Sequence, residues 1–170
     1  MIPAGGINSP AKVRALFALG AGGAQVGTPF AVTEEGDAHP RFKRVLAEAR
    51  PEDIVTFMSV AGLPARAVRT PWLAAYLERQ PVLQRRAKPR SACTLAFDCL
   101  THCGLRDGNA QAGQFCIAHH LGAALHGDVE RGLFFRGSEP LPFGDAIRSV
   151  ARLIAHLLEE SLVPSLSAAG

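Results

Sequence analysis

The chain has few lysines and no long apolar run, and these two shortages argue against a polyanionic partner and a membrane span. Lysine occurs three times in 170 residues, and 15 acidic residues nearly balance the 18 lysines and arginines, which leaves a net charge of +3. This balance does not favour a nucleic acid or another polyanion as partner. No apolar run approaches the roughly 20 residues that a membrane helix requires, so no membrane association is expected.

The N-terminal sequence lacks the features of a secretory leader. Met1 leads into residues 2–6 (IPAGG) without a basic segment or a long apolar segment, and we therefore expect a cytoplasmic location. The four cysteines would then be reduced, buried thiols. Only Cys99 and Cys103 have a spacing typical of zinc ligands, so no metal site is predicted.

The first thirty residues have the pattern of a βαβ unit. A short apolar segment at residues 2–4 precedes a glycine pair, and Ser9 followed by Pro10 is typical of a helix start. A second apolar segment at residues 23–26 ends in residues 27–29 (GTP), where a strand must stop. Two strands joined through one helix are expected to pair in parallel.

A glycine-containing loop follows each of these two predicted strands. The C-terminal ends of parallel barrel strands share one face, and glycine there lets backbone N–H groups approach a phosphate closely. The helix that begins near Ser9 would direct its positive end to the same place. Either loop alone is more simply explained as a turn, but the pair at βαβ spacing predicts a single anion site.

The rest of the sequence favours helices. Pro40 opens a helix with one apolar face, residues 54–58 form a short strand or a buried turn, and residues 62–89 are expected to form short helices joined by loops. The clearest helix is predicted near residues 144–160. Its apolar stripe consists of Ile147, Val150, Ala151, Ile154, Leu157 and Leu158.

The histidines are assigned no catalytic or metal-binding role. His119, His120 and His126 follow one another closely on a predicted helix and are expected at the surface or half-buried. His39 lies just before a predicted helix start, so a role in capping or packing is expected and not one in proton transfer.

Several segments, in this order, resemble the nitronate monooxygenase family, formerly called 2-nitropropane dioxygenases. Residues 2–7 (IPAGGI), 18–21 (ALGA) and 25–30 (QVGTPF) are similar to the last barrel strands of these proteins. The resemblance covers nearly the whole chain. Its later segments are residues 33–35 (TEE), His39, Lys43, residues 62–66 (GLPAR), 132–137 (GLFFRG) and 141–144 (LPFG).

The resemblance implies an α/β fold of the (β/α)8 TIM-barrel type, of which this chain would be the C-terminal part only, with a mostly helical lid. Residues 1–30 would give the last barrel strands, 31–140 the lid, 141–163 a barrel-closing helix and 164–170 a flexible tail. A complete barrel has eight strands in typically about 250 residues. The chain is therefore expected to be a fragment, an alternative start or one half of a two-piece protein.

The resemblance also implies a cofactor, FMN, and the residues that hold its phosphate. The family's catalytic histidine lies on earlier strands and has no counterpart in this chain. The implied partners are an alkyl nitronate, O2, and either an N-terminal barrel half or a second copy of the chain. The implied phosphate-binding residues are Gly5 and Gly6 in the first loop and Gln25, Val26, Gly27 and Thr28 in the second.

The function implied is the oxidative denitrification of nitronates, which yields a carbonyl compound and nitrite. In this family the protein fixes the flavin phosphate while the cofactor carries the difficult chemistry. Two other hypotheses stay open at the level of sequence. One is a flavin-dependent enoyl-ACP reductase that uses NAD(P)H with the same phosphate loops. The other is a non-catalytic interaction module, or one that binds metal through the four cysteines.

Overall fold

The computed structural model describes residues 1–90, 93, 95 and 97–159 of the chain. The chain divides into two compact units, each with its own hydrophobic core. Met1–Asp37 and Glu139–Gly170 form the first unit, and Ala38–Ser138 form the second. The assignment of residues 1–30 to barrel strands and of residues 31–140 to a lid stays a prediction.

The described elements are seven α-helices, one 3₁₀ turn and a single two-stranded sheet. In chain order they are α1 (Pro10–Ala18), α2 (Thr28–Ala31), α3 (Pro40–Glu48), a 3₁₀ turn (Pro51–Asp53), β1 (Ile54–Met58), β2 (Pro64–Val68), α4 (Pro71–Arg85), α5 (Gly104–Asp107), α6 (Ile117–Leu125) and α7 (Val150–Leu158). None of the helices among the described residues is long and apolar enough to cross a membrane.

In the first unit, the two segments that flank α1 pair in parallel, which confirms the predicted pairing. Ala4 and Gln25 form a parallel bridge, and the Gln25 N–H donates to the Pro3 carbonyl at 2.9 Å. The Gly22 N–H donates to the Met1 carbonyl at 3.0 Å. The pairing is an isolated bridge and not a continuous ladder, so the two predicted strands are shorter than expected.

Helix α1 begins and ends where the sequence predicts. The Ser9 hydroxyl accepts a hydrogen bond from the Lys12 N–H at 3.4 Å, and Pro10 occupies the first turn. The chain leaves the helix through Gly20, whose φ of +83° lies in the left-handed region that glycine adopts without strain. Val13 is the buried residue of α1, and it packs in the core of the unit with Ile7, Leu153 and Leu157.

Helix α7 is shorter than predicted because Ser149 caps it. The Ser149 hydroxyl accepts from the Arg152 N–H at 3.3 Å, so the helix begins at Val150 and not near residue 144. The predicted apolar stripe is also wrong in part, because Ile154 and Leu158 are 41% and 53% exposed. Residues 160–163 and the predicted tail 164–170 lie outside the described residues.

The side of α7 that is buried is fixed by tertiary contacts and not by the sequence pattern. Seven of its nine residues (VARLIAHLL) are apolar, so several faces of the helix have a similar hydrophobicity. Helix α7 packs against α1 and α2, and Leu153 and Leu157, one turn apart, join the core with Val13 of α1. Ala155 is also buried, although it projects from the other side of the helix.

In the second unit, β1 and β2 form an antiparallel hairpin, so the expectation that residues 62–89 lack a sheet is wrong. Ile54 pairs with Val68 at one end and Met58 with Pro64 at the other. The turn closes through a hydrogen bond from the Ser59 N–H to the Leu63 carbonyl at 2.9 Å. The arginine and proline in β2 do not predict a strand, although its Ala67 and Val68 are buried.

The helix after the hairpin is also longer than predicted. Helix α4 runs unbroken over 15 residues although Pro81 lies inside it. A proline ring removes one helical hydrogen bond, so the sequence suggests that the helix ends before Pro81. Leu73 and Tyr76 anchor the N-terminal turns of α4 in the core of the unit, and the chain continues in helical geometry to Arg85.

Candidate functional site

The first predicted phosphate loop has a backbone conformation that glycine adopts readily. Gly5 has a φ of +91° and Gly6 a φ of +68°, both in the left-handed region. A Cβ atom at Gly5 would meet nothing within 4 Å, so the side of the backbone at which a ligand could approach is open. Because glycine has no side chain, the backbone N–H groups of such a loop can approach an anion closely.

The second loop leads directly into a short helix. Gly27 is the N-cap of α2, and Thr28 and Pro29 form its first turn. A Cβ atom at Gly27 would also meet nothing within 4 Å. The parallel bridge between Ala4 and Gln25 places the two loops next to each other, because the bridged residues lie where the two loops begin.

Several backbone donors in these loops lack partners. The N–H groups of Gly6, Gly27 and Thr28 are among those that donate no hydrogen bond within the part of the chain that the structure describes. Gly6 and Gly27 are exposed, so a ligand from solution can reach their N–H groups. Unsatisfied donors at the start of a helix are a common feature of phosphate sites.

The other two predicted site residues, Gln25 and Val26, differ in the exposure of their side chains. Gln25 is exposed at the bridge. Val26 packs its side chain against the core of the first unit. Val26 therefore contributes backbone to the loop, and its side chain holds the loop in place.

Two charged residues that the sequence did not single out lie beside the first loop. The Lys12 ammonium donates to the Gly6 carbonyl at 2.8 Å and to the Glu139 carboxylate at 2.6 Å. The Glu139 Cγ would stand 3.2 Å from a Cβ atom at Gly6. The Asn8 amide fixes the same segment by donating to the Pro140 carbonyl at 2.7 Å.

The electrostatics of the first loop are therefore mixed. The Lys12 cation favours an anion nearby, whereas the Glu139 carboxylate opposes one. Lys12 could have been found from the sequence, since it lies three residues after the cap Ser9. Glu139 could not, because 127 residues separate it from Lys12.

The buried arginine of the second unit serves the fold. Arg136 donates to the carbonyls of Leu46 at 2.7 Å and Gly137 at 3.0 Å. Leu46 lies in the last turn of α3, where carbonyls lack helical partners and a cation is favoured. Burial lowers the pKa of Arg136 from its ordinary value, yet a guanidinium stays charged.

The histidines and cysteines were candidates for metal ligands. Within the described ranges no three His, Cys, Asp or Glu side chains come together as ligands. All four cysteines are free thiols, of which Cys103 is buried and Cys99 exposed. His39 is the N-cap of α3 and accepts from the Arg41 N–H at 3.1 Å, as its position predicts.

Several known proteins are similar to this chain. The "Probable nitronate monooxygenase" of Bacillus subtilis (strain 168) is 34% identical over 73 residues, which are 43% of this chain and 21% of that protein. The solved structure of FabK from Thermotoga maritima is 28% identical, covers 93% of this chain and 42% of its own, and superposes with a TM-score of 0.67.

A second solved structure shares the fold. A nitroalkane oxidase from Streptomyces ansochromogenes is 23% identical, with 94% of this chain and 38% of its own covered and a TM-score of 0.56. The matched part thus spans less than half the length of each of these three proteins.

The similarity to these proteins supports membership of a family of flavin-dependent oxidoreductases. The family model of the nitronate monooxygenases matches residues 1–160, nearly the whole chain. The chain belongs to the nitronate monooxygenase family.

Proposed function

We propose that this chain supplies the phosphate-binding loops of an FMN-dependent nitronate monooxygenase with a (β/α)8 barrel. The observation that carries the proposal is the pair of adjacent glycine loops with unpartnered N–H donors, which include those of Gly6, Gly27 and Thr28. A phosphate presents several acceptor oxygens and a negative charge, which such a set of donors satisfies.

The residues present fit the phosphate of FMN. The Cβ positions of Gly5 and Gly27 are open, and Lys12 supplies a cation within reach of Gly6. The ion pair of Lys12 with Glu139 is 43% and 48% exposed at its two side chains, so it can rearrange at little cost when an anion enters. Bound FMN would supply the electron-transfer chemistry of nitronate oxidation.

The remaining parts of the active site come, in this proposal, from outside the 170 residues. Substrate and O2 must meet the flavin ring, and a base must be positioned there. An N-terminal barrel half or a second copy of the chain would supply these groups. The exposed side chains of Ile2 and Leu19, at 67% and 85%, offer apolar surface for such packing.

The phosphate contribution can be measured directly. In a flavoprotein that contains this chain within a complete barrel, FMN and riboflavin are titrated and their dissociation constants compared. Three charge-assisted hydrogen bonds should favour FMN by about a hundredfold or more. Equal affinities for the two flavins would contradict the assignment of the loops, whatever the catalytic activity.

The reaction itself needs a separate assay. The same protein is supplied with an alkyl nitronate in air, and nitrite release and O2 consumption are followed. Anaerobic NAD(P)H distinguishes the enoyl reductase hypothesis, because that enzyme would reduce its bound flavin with NAD(P)H. Rapid flavin reduction by NAD(P)H without nitrite release would favour the reductase.

A further inference from the structure

The second unit contains an open cleft of about 270 Å³. None of the residues that line it belongs to the glycine loops. One wall is a single face of α4, with side chains at helical spacing. The other wall is formed by residues that lead into α6 and by one residue within it. The lining residues are Trp72, Ala75, Tyr76, Arg79 and Leu83 on α4, and Gln114, Phe115 and His120 opposite.

Four of the eight lining residues carry aromatic rings, namely Trp72, Tyr76, Phe115 and His120. The Trp72 ring lies 5.2 Å from that of Phe115 in an edge-on arrangement and 5.5 Å from that of Tyr76 in a stacked one. The imidazole of His120 stacks on Trp72 with 3.9 Å between ring centroids. Such walls favour a flat apolar or aromatic ligand.

Arg79 gives the lining of the cleft a positive charge. Arg79 is exposed and forms no ion pair with any residue that the structure describes. The lining includes no Asp or Glu. A cation without a counter-charge beside an apolar wall binds carboxylates in a directed manner.

Tyr76 adds a second donor. Its side chain is buried, and its hydroxyl oxygen accepts from the Gln114 N–H at 2.9 Å. The phenolic proton itself has no acceptor among the described residues. Burial raises the pKa of Tyr76 from its ordinary value, so this hydroxyl keeps its proton at neutral pH.

His120 is held neutral beside these donors. Its Nδ1 lies 2.8 Å from the Arg131 carbonyl, which can only accept, so Nδ1 carries the proton of the neutral ring. Burial is the main cause that lowers the pKa of His120. Arg79 is therefore the charged group of the cleft at neutral pH.

We propose that this cleft binds a small aromatic carboxylate, with its ring among Trp72, Tyr76 and Phe115 and its carboxylate at Arg79. The volume lies just below the range of about 300–1,000 Å³ that is typical of sites for drug-sized ligands. It therefore suits a single ring and not a dinucleotide. The proposal does not depend on flavin binding, since no glycine-loop residue takes part.

Trp72 provides the measurement, because it is the single tryptophan of the chain. Its fluorescence is recorded while purified chain is titrated at pH 7.5 with benzoate, benzamide and benzylamine, which have similar rings and different charges. Benzoate is expected to bind about fivefold more tightly than benzamide, from one solvent-accessible charge-assisted contact. Benzylamine is expected to bind more weakly than benzamide. Equal affinities for the three would overturn the proposal.

Two variants test the position of the ligand. Arg79→Gln should abolish the preference for benzoate and leave benzamide affinity within about twofold, whereas Arg85→Gln, on the same helix but outside the cleft, should leave both unchanged. Ala75→Leu fills the cleft at an exposed helix position and should weaken both ligands at least tenfold. Circular dichroism confirms that each variant is folded. Unchanged binding in folded Ala75→Leu, or a benzoate preference that survives Arg79→Gln, would overturn the proposal.

Discussion

Gly127 lies against the imidazole of His39, so that a Cβ atom at position 127 would overlap the Nδ1 of that ring. Gly127 also has a φ of +77°. Just before it, the Leu125 carbonyl accepts from the His39 N–H at 3.0 Å. The end of α6 and the start of α3 are thus joined at a point that only glycine fits.

We therefore expect Gly127→Ala to lower the free energy of unfolding by about 2 kcal/mol or more, from left-handed strain and the clash with His39. Gly122→Ala is the matched control. Gly122 lies inside α6, and a Cβ there meets nothing within 4 Å, so alanine should raise stability by about 0.5–1 kcal/mol. Urea denaturation measures both, and equal effects would refute the described contact.

Gly27→Val should weaken FMN binding in a flavoprotein with a complete barrel. The valine side chain would occupy the open space where, in our proposal, the backbone meets the phosphate. Gly22→Val is the control, because Gly22 is also open but lies before the bridge and outside the loop. Flavin content and affinity are measured for both, and unchanged values for Gly27→Val would remove this loop from the site.

Ser149→Ala should destabilise α7. The variant removes the hydroxyl that accepts from the Arg152 N–H, which is typically worth about 1 kcal/mol. Ser149→Asp keeps an acceptor at the cap and should retain most of the stability. The Val150 N–H still donates to the Glu35 carboxylate at 2.9 Å in both variants, so the comparison isolates the hydroxyl. A loss as large in Ser149→Asp as in Ser149→Ala would contradict the assignment.

The pH dependence of stability should contain a contribution from His120. Its pKa is lowered in the folded chain, mainly by burial, so the unfolded chain binds a proton more readily. The contribution of neutral His120 to the free energy of unfolding is therefore fully present above the pKa of the unfolded chain, about 6.5. It is lost as the pH falls towards the lower pKa of the folded chain. His120→Gln should lose this part of the slope between pH 8 and pH 5.

His119→Gln is the control for that slope, because it removes an exposed imidazole from the same helix. We expect it to keep most of the wild-type pH dependence. Urea denaturation at several pH values provides the comparison. Identical slopes for wild type and His120→Gln would show that the burial of His120 does not affect its titration.

Residues 1–170 expressed alone should neither hold FMN tightly nor release nitrite from a nitronate above a free-FMN control. The loops offer phosphate contacts but no walls for the flavin ring. Exposed Ile154 and Leu158 should also favour self-association. Flavin fluorescence quenching, nitrite release and size-exclusion chromatography test these expectations. Stoichiometric tight FMN with turnover would mean that the chain builds a complete site by itself or through self-association.

The sequence by itself determined the local features that a few neighbouring residues control. Ser9, Pro10 and Gly20 define α1, because capping and chain reversal depend on residues within one or two turns. The parallel pairing around α1 followed from the connection through a helix. The family resemblance rested on the order of short motifs, and the family match over residues 1–160 confirmed it.

The tertiary structure decided what depends on distant partners. The sequence did not predict that Glu139 would pair with Lys12, or that α7 would bury Leu153 and expose Ile154, because several faces of that helix are apolar. Strand β2 was missed because Ala67 and Val68 are buried by tertiary packing, whereas the local composition favoured loops. The aromatic cleft likewise joins residues of α4 to Phe115 and His120, since only packing brings rings about forty positions apart into contact.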